Sequence, residues 1–528
     1  MAQLPLVRHK KRIDRSLPAW VDIIILALSI AIFYIIITPM LSSDSTYFDE
    51  GYSVYLAHLN IPSAVYYTSL DVHPPLYYIA LHFWQMVFDS SIFVLRMMSV
   101  VWAAICIALA FFLVRRAFGR IAAWIILPFI TFSPLFLRYS ETARMYTMAL
   151  AFCLAATYIL VRLQGTVERK KRTVLWIIYG VFVAGGMWTN YFTALIWICH
   201  GLWVISERYI LRNKEGKFIL PKGWLSAIAM AVLLYIPWLP SLITRYKDIQ
   251  DNGFWIKPIS IDTISSTITT MTLLRPASSI TSWLVIGIVG WIGVATWLVT
   301  RTYKEIIPTK KPLYRLVIIM SIGPIILLGL LSLPPFRPAY TYRYVLAGVF
   351  MSMLLIGVSL AIISFKKHQL AKKICIGMFL LIILVIGMFN FIHQGNRNLD
   401  TGGKSTVGDA VAQIDSQVST IEPIIIKSPY TYYASMVYET KTHPIYYLYT
   451  ESLKNSGVTR GLYDMPNERG IKDISTFIKK FSYVWILGED KNDIGFSPSP
   501  TWKKVKSIII NDTDRGVLSS YAIQYQAP

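Results

Sequence analysis

Long apolar segments recur along most of the chain and are separated by short polar ones. A membrane-spanning helix needs roughly 18 to 25 apolar residues, and nine of these segments are of a length that fits one helix each. The stretch 174–206 is too long for one helix and breaks at Thr189-Asn190-Tyr191, so we divide it into two. The pattern therefore predicts about 11 transmembrane helices, and a shorter helix over 75–88 that is interfacial or partly inserted. The nine single segments are 20–41, 92–114, 121–137, 145–163, 223–243, 283–300, 313–333, 343–364 and 374–392.

The amino-acid composition excludes a soluble protein. Hydrophobic residues make up 55% of the 528 positions and charged residues only 15%, and the mean hydropathy is +0.50. A single compact core could not hide this much apolar surface from water. The predicted fold class is therefore a polytopic α-helical membrane protein.

The positive charge of the chain follows the predicted topology. The formal net charge is +22, and 25 of the 51 Lys and Arg residues lie in six short segments between spans. By the positive-inside rule these segments face the cytoplasm, so the protein is expected in the plasma membrane with a cytoplasmic N-terminus. A nucleic-acid partner is not expected, because its binding would need these residues on one face of a soluble domain. The six segments are 1–19, 115–120, 165–173, 207–222, 301–312 and 365–373, and the alternating outward loops are 42–74, 138–144, 244–282 and 334–342.

The same pattern divides the chain into three parts. Residues 1–19 form a basic cytoplasmic N-terminus, and no small-residue cleavage site follows the first apolar run, so that run is expected to remain as a signal anchor. Residues 20–392 form the transmembrane domain, and residues 393–528 form a small extracytoplasmic α/β domain. The cysteines all fall inside predicted spans, so no disulfide or metal cluster is expected. The tail is predicted to hold strands at Ile421–Lys427, Ile445–Tyr449, Tyr483–Leu487 and Val505–Ile510, and a helix at Ile471–Lys480.

Two adjacent carboxylates, Asp49 and Glu50, are the first candidates for chemistry. They lie in the first outward loop, within YFDEGYSVY. Charged groups beside membrane spans are costly, so those that occur there are candidates for function. Neighbouring side chains diverge on a helix or strand, so two roles are expected: one carboxylate faces a reaction centre as a base, and the other anchors the loop or binds a cation or acceptor. A solvated pair that caps an interfacial helix is the alternative.

Asp71 and His73 follow in the same loop, within SLDVHPPLYY. The Pro-Pro step after His73 holds the chain extended and begins the next helix, which directs the imidazole back toward the loop. Asp71 is placed to set the tautomer of His73 or to share a metal with it. A divalent site built from Asp49, Asp71 and His73 is a possibility that this pattern alone does not decide. The alternative for His73 is a satisfied structural histidine.

Arginines in the outward loops are candidates for binding a phosphate. Arg138 and Arg144 lie in RYSETARMY, and Arg343 lies in PPFRPAYTYRY. Guanidinium groups bind phosphate oxygens with two parallel hydrogen bonds. The alternatives are that Arg144 pairs with Glu141, three positions away, and that each arginine extends to lipid headgroups. Three tyrosines of these loops are candidates for stacking on a sugar: Tyr52, Tyr77 and Tyr146.

Taken together, these motifs resemble those of bacterial family 39 glycosyltransferases of the GT-C superfamily, relatives of the dolichyl-phosphate-mannose protein mannosyltransferases. The resemblance runs through about residues 20–200 and more weakly to about 350. The motifs that carry it are FDE in the first outward loop, HPPLYY, Leu95-Arg96 before a span, an SP step followed by RYSETARMY, and the late pair Arg343-Tyr344.

The resemblance implies an inverting transfer of a sugar from a polyprenyl-phosphate carrier to an acceptor hydroxyl on the outer face. Asp49 would then be the catalytic base, with Glu50 supporting it, and Arg144 would hold the donor phosphate. The sugar would be mannose-like by analogy, and the acceptor a protein, lipid or glycan. Metal dependence varies within the superfamily, so a divalent cation is possible but no cofactor is certain.

General physical chemistry agrees with such a reaction. A base in a sheltered cleft keeps water from competing with the acceptor, and fixed guanidinium groups stabilise charge on a phosphate leaving group. The loop 244–282, with its Asn252-Gly253 turn and Trp255, is a candidate lid. A polytopic lipid flippase or transporter is the main rival, although such proteins usually place ionisable residues near the bilayer midplane. A non-catalytic subunit whose tail binds a partner is the third possibility.

Overall fold

The computed structural model describes residues 17–43, 45–215, 220–253, 256–275, 280–363, 370–395, 399, 405–417, 420–448, 469–489, 496–512 and 517–528. Helices dominate the first three quarters of the chain. They are α1 (Trp20–Ile37), α2 (Met40–Ser43), α3 (Phe48–His58), α4 (Ile61–Ser69), α5 (Leu76–Val87), α6 (Ile92–Phe118), α7 (Arg120–Thr131), α8 (Pro134–Ser140), α9 (Tyr146–Gln164), α10 (Arg169–Thr189), α11 (Thr193–Glu215), α12 (Lys222–Tyr235), α13 (Leu239–Asn252), α14 (Ile261–Leu273), α15 (Ser282–Glu305), α16 (Lys311–Leu330), α17 (Leu346–Ile362) and α18 (Leu370–Gln394).

The chain is a multi-pass membrane protein. Within the described ranges, nine helices are long and apolar enough to cross a membrane, or ten if α7 and α8, bent by 67° from each other, form one broken span. The predicted break in 174–206 is present, since α10 ends at Thr189 and α11 begins at Thr193. The eleventh predicted span corresponds to α11, which is not among the nine because polar residues interrupt its apolar pattern.

Buried charges fix the first helix against its neighbours. Asp22 in α1 is fully buried and forms ion pairs with Arg115 at 2.7 Å and with Arg120 at 2.5 Å, on either side of the α6–α7 turn. Trp124 donates a further hydrogen bond to this carboxylate at 2.9 Å. A buried carboxylate is tolerated only when it is paired in this way. These contacts lie at the opposite end of α1 from α3, and we call the two ends of the bundle the α3 face and the opposite face.

Two predicted loops contain helices. Residues 42–74 hold α3 and α4, and Asn60 caps α4, since its side chain accepts a hydrogen bond from the Ser63 N–H. The predicted outward segment 244–282 holds helices too, because α12 continues through a short 3₁₀ turn into α13, and α14 follows. The Gly253 turn ends α13 with a φ of 80°, and the candidate lid residue Trp255 lies outside the described residues.

The C-terminal part is an α/β domain, as predicted. The elements are α19 (Val407–Asp415), β1 (Ile424–Ile426), α20 (Pro429–Met436), β2 (Ile445–Leu448), β3 (Gly470–Ile471), α21 (Ile474–Ile478), β4 (Tyr483–Gly488), β5 (Lys503–Asp512) and β6 (Val517–Gln526). The sheet has the strand order β3-β2-β1-β4-β6-β5, in which β1 to β4 are parallel to one another and β6 is antiparallel to both of its neighbours, β4 and β5. The predicted helix at Ile471–Lys480 is shorter in the structure, and its first residue belongs to a strand.

One face of this sheet shares its core with the membrane helices. Ile424, Ile426 and Trp485 belong to the same cluster of buried apolar side chains as most of the membrane helices, whereas Ile425 and Ile486 belong to a separate cluster on the other face of the sheet. This division follows from the alternation of side chains along a strand. The layer of α19 and α20 lies between the sheet and the bundle, so the tail is attached directly above α3.

Candidate active site

The carboxylates Asp49 and Glu50 lie in the first turn of α3, where the helix dipole favours negative charge. Their side chains point in different directions, because neighbouring positions on a helix diverge by about 100°. The side chain of Glu50 is fully buried, while that of Asp49 is 21% exposed. The two carboxylates therefore have different surroundings.

Glu50 anchors α3 to the bundle. Its carboxylate accepts two hydrogen bonds from Arg96 of α6, at 2.9 and 2.8 Å, and one from the Ala143 N–H at 2.9 Å. Arg96 also donates to the Leu41 carbonyl oxygen at 2.9 Å. A buried bidentate pair with its remaining lone pairs satisfied holds both partners in one geometry. Glu50 is thus a positioning group.

Asp49 faces a different arginine. Arg343 lies in a 3₁₀ turn directly before α17 and donates to Asp49 Oδ2 at 2.8 Å. The same Arg343 nitrogen lies 3.3 Å from the hydroxyl of Tyr146, the first residue of α9. Arg343 is 294 positions from Asp49 and 197 positions from Tyr146 in the sequence, so these contacts bring together distant parts of the chain. Asp49 therefore has a cationic neighbour where α3, α9 and α17 begin.

Arg144 contacts the backbone of α3 at Asp49. It is buried, and one of its terminal nitrogens donates to the Asp49 carbonyl oxygen and to Ser53 Oγ, both at 3.0 Å, and lies 3.3 Å from the Tyr78 hydroxyl. Its own carbonyl oxygen accepts a hydrogen bond from Ser99 at 3.2 Å. Its Nε makes no hydrogen bond within the described part of the chain. Arg144 fixes the backbone of α3 and leaves a donor available.

The charges around Asp49 keep it ionised. Burial by itself would raise the pKa of Asp49, but the guanidinium groups of Arg144 and Arg343 outweigh that influence and hold the pKa below its ordinary value. The carboxylate is consequently an anion at neutral pH. While Arg343 is bound to it, Asp49 is a weak base.

His73 is buried and Asp71 is partly buried, and both lie within the electrostatic influence of Arg144 and Asp49. Burial raises the pKa of Asp71 to about 6, although Arg144 acts in the opposite direction. Burial lowers the pKa of His73 to about 3, and Arg144 adds to that effect. Neither ring nitrogen of His73 has a hydrogen-bond partner of normal geometry among the described residues. A neutral, buried imidazole without a partner is a group that a ligand could satisfy. The positively charged Arg245 of α13 also approaches here and donates to the Leu70 carbonyl oxygen at 3.2 Å.

Other candidate residues have different surroundings. Arg138 is bonded to the Glu141 carboxylate and to the Gly395 carbonyl oxygen, and its guanidinium lies 5.4 Å from the centre of the Phe391 ring. The structure thus does not bring Arg138 to Asp49, and Glu141 pairs with Arg138 instead of Arg144. Asp49, Asp71 and His73 are not arranged as a set of three metal ligands, since the described ranges hold no group of three or more His, Cys, Asp or Glu side chains with that arrangement.

The tyrosine candidates differ in position. The Tyr146 hydroxyl lies at Arg343. Tyr77 is fully buried, and its ring meets that of Tyr78 edge to face at 5.7 Å. The ring of Tyr52 packs edge to face against Tyr433 of α20, with ring centres 5.1 Å apart. Only Tyr146 therefore lies beside the Asp49–Arg343 pair.

The tail closes over α3 through Gly51, the residue after the two carboxylates. A Cβ added at Gly51 would lie 1.9 Å from the Tyr433 carbonyl oxygen, so only glycine allows this approach. Two hydrogen bonds join the same surfaces: Thr46 Oγ1 donates to the Ala434 carbonyl oxygen at 2.5 Å, and the Thr46 N–H donates to the Tyr438 hydroxyl at 2.7 Å. The helix that carries Asp49 is held from both sides.

Sequence reasoning assigned no site role to four residues of this arrangement: Gly51, Tyr433, Arg245 and Arg96, the last of which it noted only as part of the Leu95-Arg96 motif. Arg96 had a detectable signal, because an arginine at the beginning of an apolar span needs a partner. Gly51 had a weaker one, since a glycine inside a helix is unfavourable unless something approaches it closely. The contact partners Tyr433 and Arg245 depend on tertiary packing.

Comparisons with known proteins agree with this architecture. Residues 72–240 match the family model of dolichyl-phosphate-mannose-protein mannosyltransferases. No curated protein sequence gives a significant match.

The fold is shared with solved membrane enzymes. The apo structure of ArnT from Cupriavidus metallidurans superposes with a TM-score of 0.61 and 12% identity, over 96% of this chain and 97% of that one. The structure of the same protein bound to undecaprenyl phosphate superposes with a TM-score of 0.58 and 12% identity, over 96% of this chain and 98% of that one. The apo oligosaccharyltransferase of Archaeoglobus fulgidus superposes with a TM-score of 0.53 and 10% identity, over 89% of this chain and 70% of that one. Residues 72–240 are thus similar to the dolichyl-phosphate-mannose-protein mannosyltransferase family, and the whole chain shares its fold with these membrane proteins.

Proposed function

We propose that the protein is an inverting glycosyltransferase that moves a sugar from a polyprenyl-phosphate carrier to an acceptor hydroxyl. The observation that carries the proposal is the contact between Asp49 and Arg343 at 2.8 Å, beside apolar helices. A carboxylate next to a guanidinium supplies a base and an anion site in one place. The matches to a mannosyltransferase family model and to a fold seen with undecaprenyl phosphate support this chemistry.

In the proposed step Asp49 accepts the proton of the acceptor hydroxyl. The acceptor oxygen attacks the anomeric carbon from the side opposite the phosphate, and the bond between that carbon and the phosphate oxygen breaks. The configuration is thereby inverted, and polyprenyl phosphate leaves with its additional negative charge. Arg343 stabilises that charge, and the unpartnered Nε of Arg144 lies nearby to assist.

Arg343 is proposed to change partners during the cycle. In the absence of donor it holds Asp49 as a weak base. A bound phosphate would draw the guanidinium away, and burial would then raise the pKa of Asp49 toward the range of an effective base. The enzyme would therefore become basic only after the donor is bound, which disfavours activating water without a sugar to receive it.

The remaining candidate residues have supporting roles. Glu50 positions α3 through Arg96, while the buried imidazole of His73 and the partly buried carboxylate of Asp71 provide polar groups for the acceptor. The tail, directly above α3, is proposed to help bind the acceptor. A mannose-like sugar is the first donor to test, because the matched family model is that of a mannosyltransferase.

The test uses purified protein and a radiolabelled polyprenyl-phosphate mannose. Asp49→Asn should abolish transfer to acceptor lipids or glycans extracted from the host, while donor binding persists. Asp262→Asn is the matched control, because Asp262 is an exposed aspartate on α14. Full activity of Asp49→Asn would refute the role of the base. Movement of lipid between leaflets without transfer would favour a flippase instead.

The proposed topology places the α3 face and the tail outside the cytoplasm. A cysteine at Lys472, which is exposed in the tail, should react with an impermeant thiol reagent added to intact cells. A cysteine at Lys372, exposed at the beginning of α18, should react only after the cells are opened. Both variants need a Cys375→Ser background, because Cys375 is the exposed cysteine of the described chain. The reverse pattern of labelling would invert the topology.

A further inference from the structure

A basic cavity lies on the opposite face of the bundle, far from Asp49. Helix α9 begins at the Arg343 contact and ends at this cavity, and its 19 residues span about 28 Å. The cavity has a volume of about 640 Å³, and a second of about 690 Å³ adjoins it. Both are bounded by Val167, Arg172, Trp176, Arg208 and Pro221. Neither cavity shares a residue with the candidate active site.

The lining of these cavities is strongly positive. The first contains four basic side chains and one acidic one, Glu207. Glu207 is neutralised by Arg315, which donates to both of its oxygens at 2.7 Å. The second cavity adds Arg169 and Lys222 and contains no acidic residue. An excess of positive charge therefore remains after the one internal pair is counted.

Two guanidinium groups face the shared space without a protein partner. The side chains of Arg172, on α10, and Arg208, on α11, have no hydrogen bond or ion pair with any described residue. They come from two different helices and converge on one cavity. Paired guanidinium groups of this kind bind the oxygens of a phosphate.

The apolar surroundings identify the kind of phosphate. The first cavity is also lined by Trp176, Trp203 and Leu160, and tryptophan is a residue type that occupies the level of lipid headgroups. Next to them, Ile177 and Val181 of α10 are about half exposed, at 50% and 49%, which fits contact with acyl chains. A free phosphate would need only the basic groups, whereas a phospholipid uses both surfaces.

We propose that this cavity binds the phosphate headgroup of an anionic phospholipid in the leaflet opposite the candidate active site. Basic pockets between transmembrane helices are suited to such headgroups. The positive-inside rule alone predicts basic residues on this face but not their convergence from several helices on one open cavity. The bound lipid would bridge α10 and α11 and so brace the helices that continue to the α3 face.

The test is lipid retention by the full-length protein in detergent, measured by native mass spectrometry. Phosphatidylglycerol is the probe, phosphatidylcholine is the zwitterionic comparison, and inorganic phosphate is the free-ion comparison. Arg172→Gln/Arg208→Gln should weaken phosphatidylglycerol binding by about tenfold or more, because two charge-assisted contacts are lost. Neither side chain has a partner among the described residues, so the substitution leaves no buried charge behind in that part of the chain.

A matched variant controls for the overall loss of charge. Lys304→Gln/Lys372→Gln removes two exposed lysines from other helices of the same bundle and should change phosphatidylglycerol retention by less than about twofold. Equal weakening in both double variants would overturn the site. Binding of inorganic phosphate without retention of phosphatidylglycerol would overturn the lipid assignment. If Arg172→Gln/Arg208→Gln folds poorly, Arg172→Lys/Arg208→Lys serves as a second variant and should retain most of the phosphatidylglycerol binding. Loss of binding in the folded lysine variant would contradict a site based on charge. Unaltered binding in the glutamine variant would contradict it as well.

Discussion

Gly51 makes the sharpest test of how the tail controls the candidate active site. The substitution Gly51→Ala adds one methyl group directly after Asp49 and Glu50. That methyl carbon would lie 1.9 Å from the Tyr433 carbonyl oxygen and 2.4 Å from its carbonyl carbon. Backbone atoms of a packed helix have no alternative rotamer, so α3 and α20 must separate.

The required displacement follows from the distance. A carbon and a carbonyl oxygen approach to about 3.3 Å at the closest, so the two helices must move apart by roughly 1.4 Å. The hydrogen bonds of Thr46 to α20 would be stretched by the same movement. We expect a loss of about 3 kcal/mol of stability, at the upper end for overpacking. A misplacement of about 1 Å at the reacting groups costs on the order of 100-fold in turnover.

The assay compares transfer rates and unfolding of purified Gly51→Ala with those of the parent. Gly293→Ala is the matched control, because a Cβ at Gly293 of α15 would meet no atom within 4 Å. That variant should keep full activity, since alanine is the better helix former. Parent-like activity and stability of Gly51→Ala would refute the claim that the α3–α20 contact positions Asp49.

Three further predictions concern the charged groups. Arg96→Met should lower the free energy of unfolding, measured in sodium dodecyl sulfate, by about 3–5 kcal/mol, because Glu50 stays buried without its partner. Arg96→Met/Glu50→Leu should recover at least half of that loss. No recovery would show that the broken ion pair is not the cause. Arg343→Gln should move the acidic limb of the pH–activity profile upward by roughly one pH unit or more, since Asp49 loses a neighbouring cation. Arg343→Lys keeps the charge and should leave the limb in place. An unmoved limb in Arg343→Gln would contradict the electrostatic coupling of Arg343 to Asp49. Asp71→Asn should raise the free energy of unfolding by about 3 kcal/mol at pH 7.5 and not at pH 4. The reason is that the pKa of Asp71 is raised to about 6, so the contribution of this side chain to the stability of the folded state is lost as pH rises through that value. A gain in stability that does not depend on pH would contradict this explanation.

The membrane helices could be predicted because their signal is local. A run of apolar residues must cross the bilayer wherever it packs, so the break between Thr189 and Thr193 was visible from polar residues alone. The helices α13 and α14 were not predicted, because their mixed composition resembles that of a loop. Strand β6 was missed for a similar reason, since VLSSYAIQYQ alternates polar and apolar residues only in part.

The candidate site was predictable in its residues more than in its contacts. The divergence of Asp49 and Glu50 follows from helix geometry, and both carboxylates have separate arginine partners. Which arginine pairs with which carboxylate depends on tertiary packing, and so Arg138 was grouped with the donor site although it contacts Glu141. The approach of Tyr433 to Gly51 joins positions almost four hundred residues apart, and no local pattern encodes it.

The place of β6 in the sheet has a consequence for how the protein matures. This strand follows every other described element in the chain, yet it lies between β4 and β5. During synthesis the sheet is therefore incomplete until residue 526 has left the ribosome. The contact of α20 with α3 would then be completed only after the membrane helices have been synthesised.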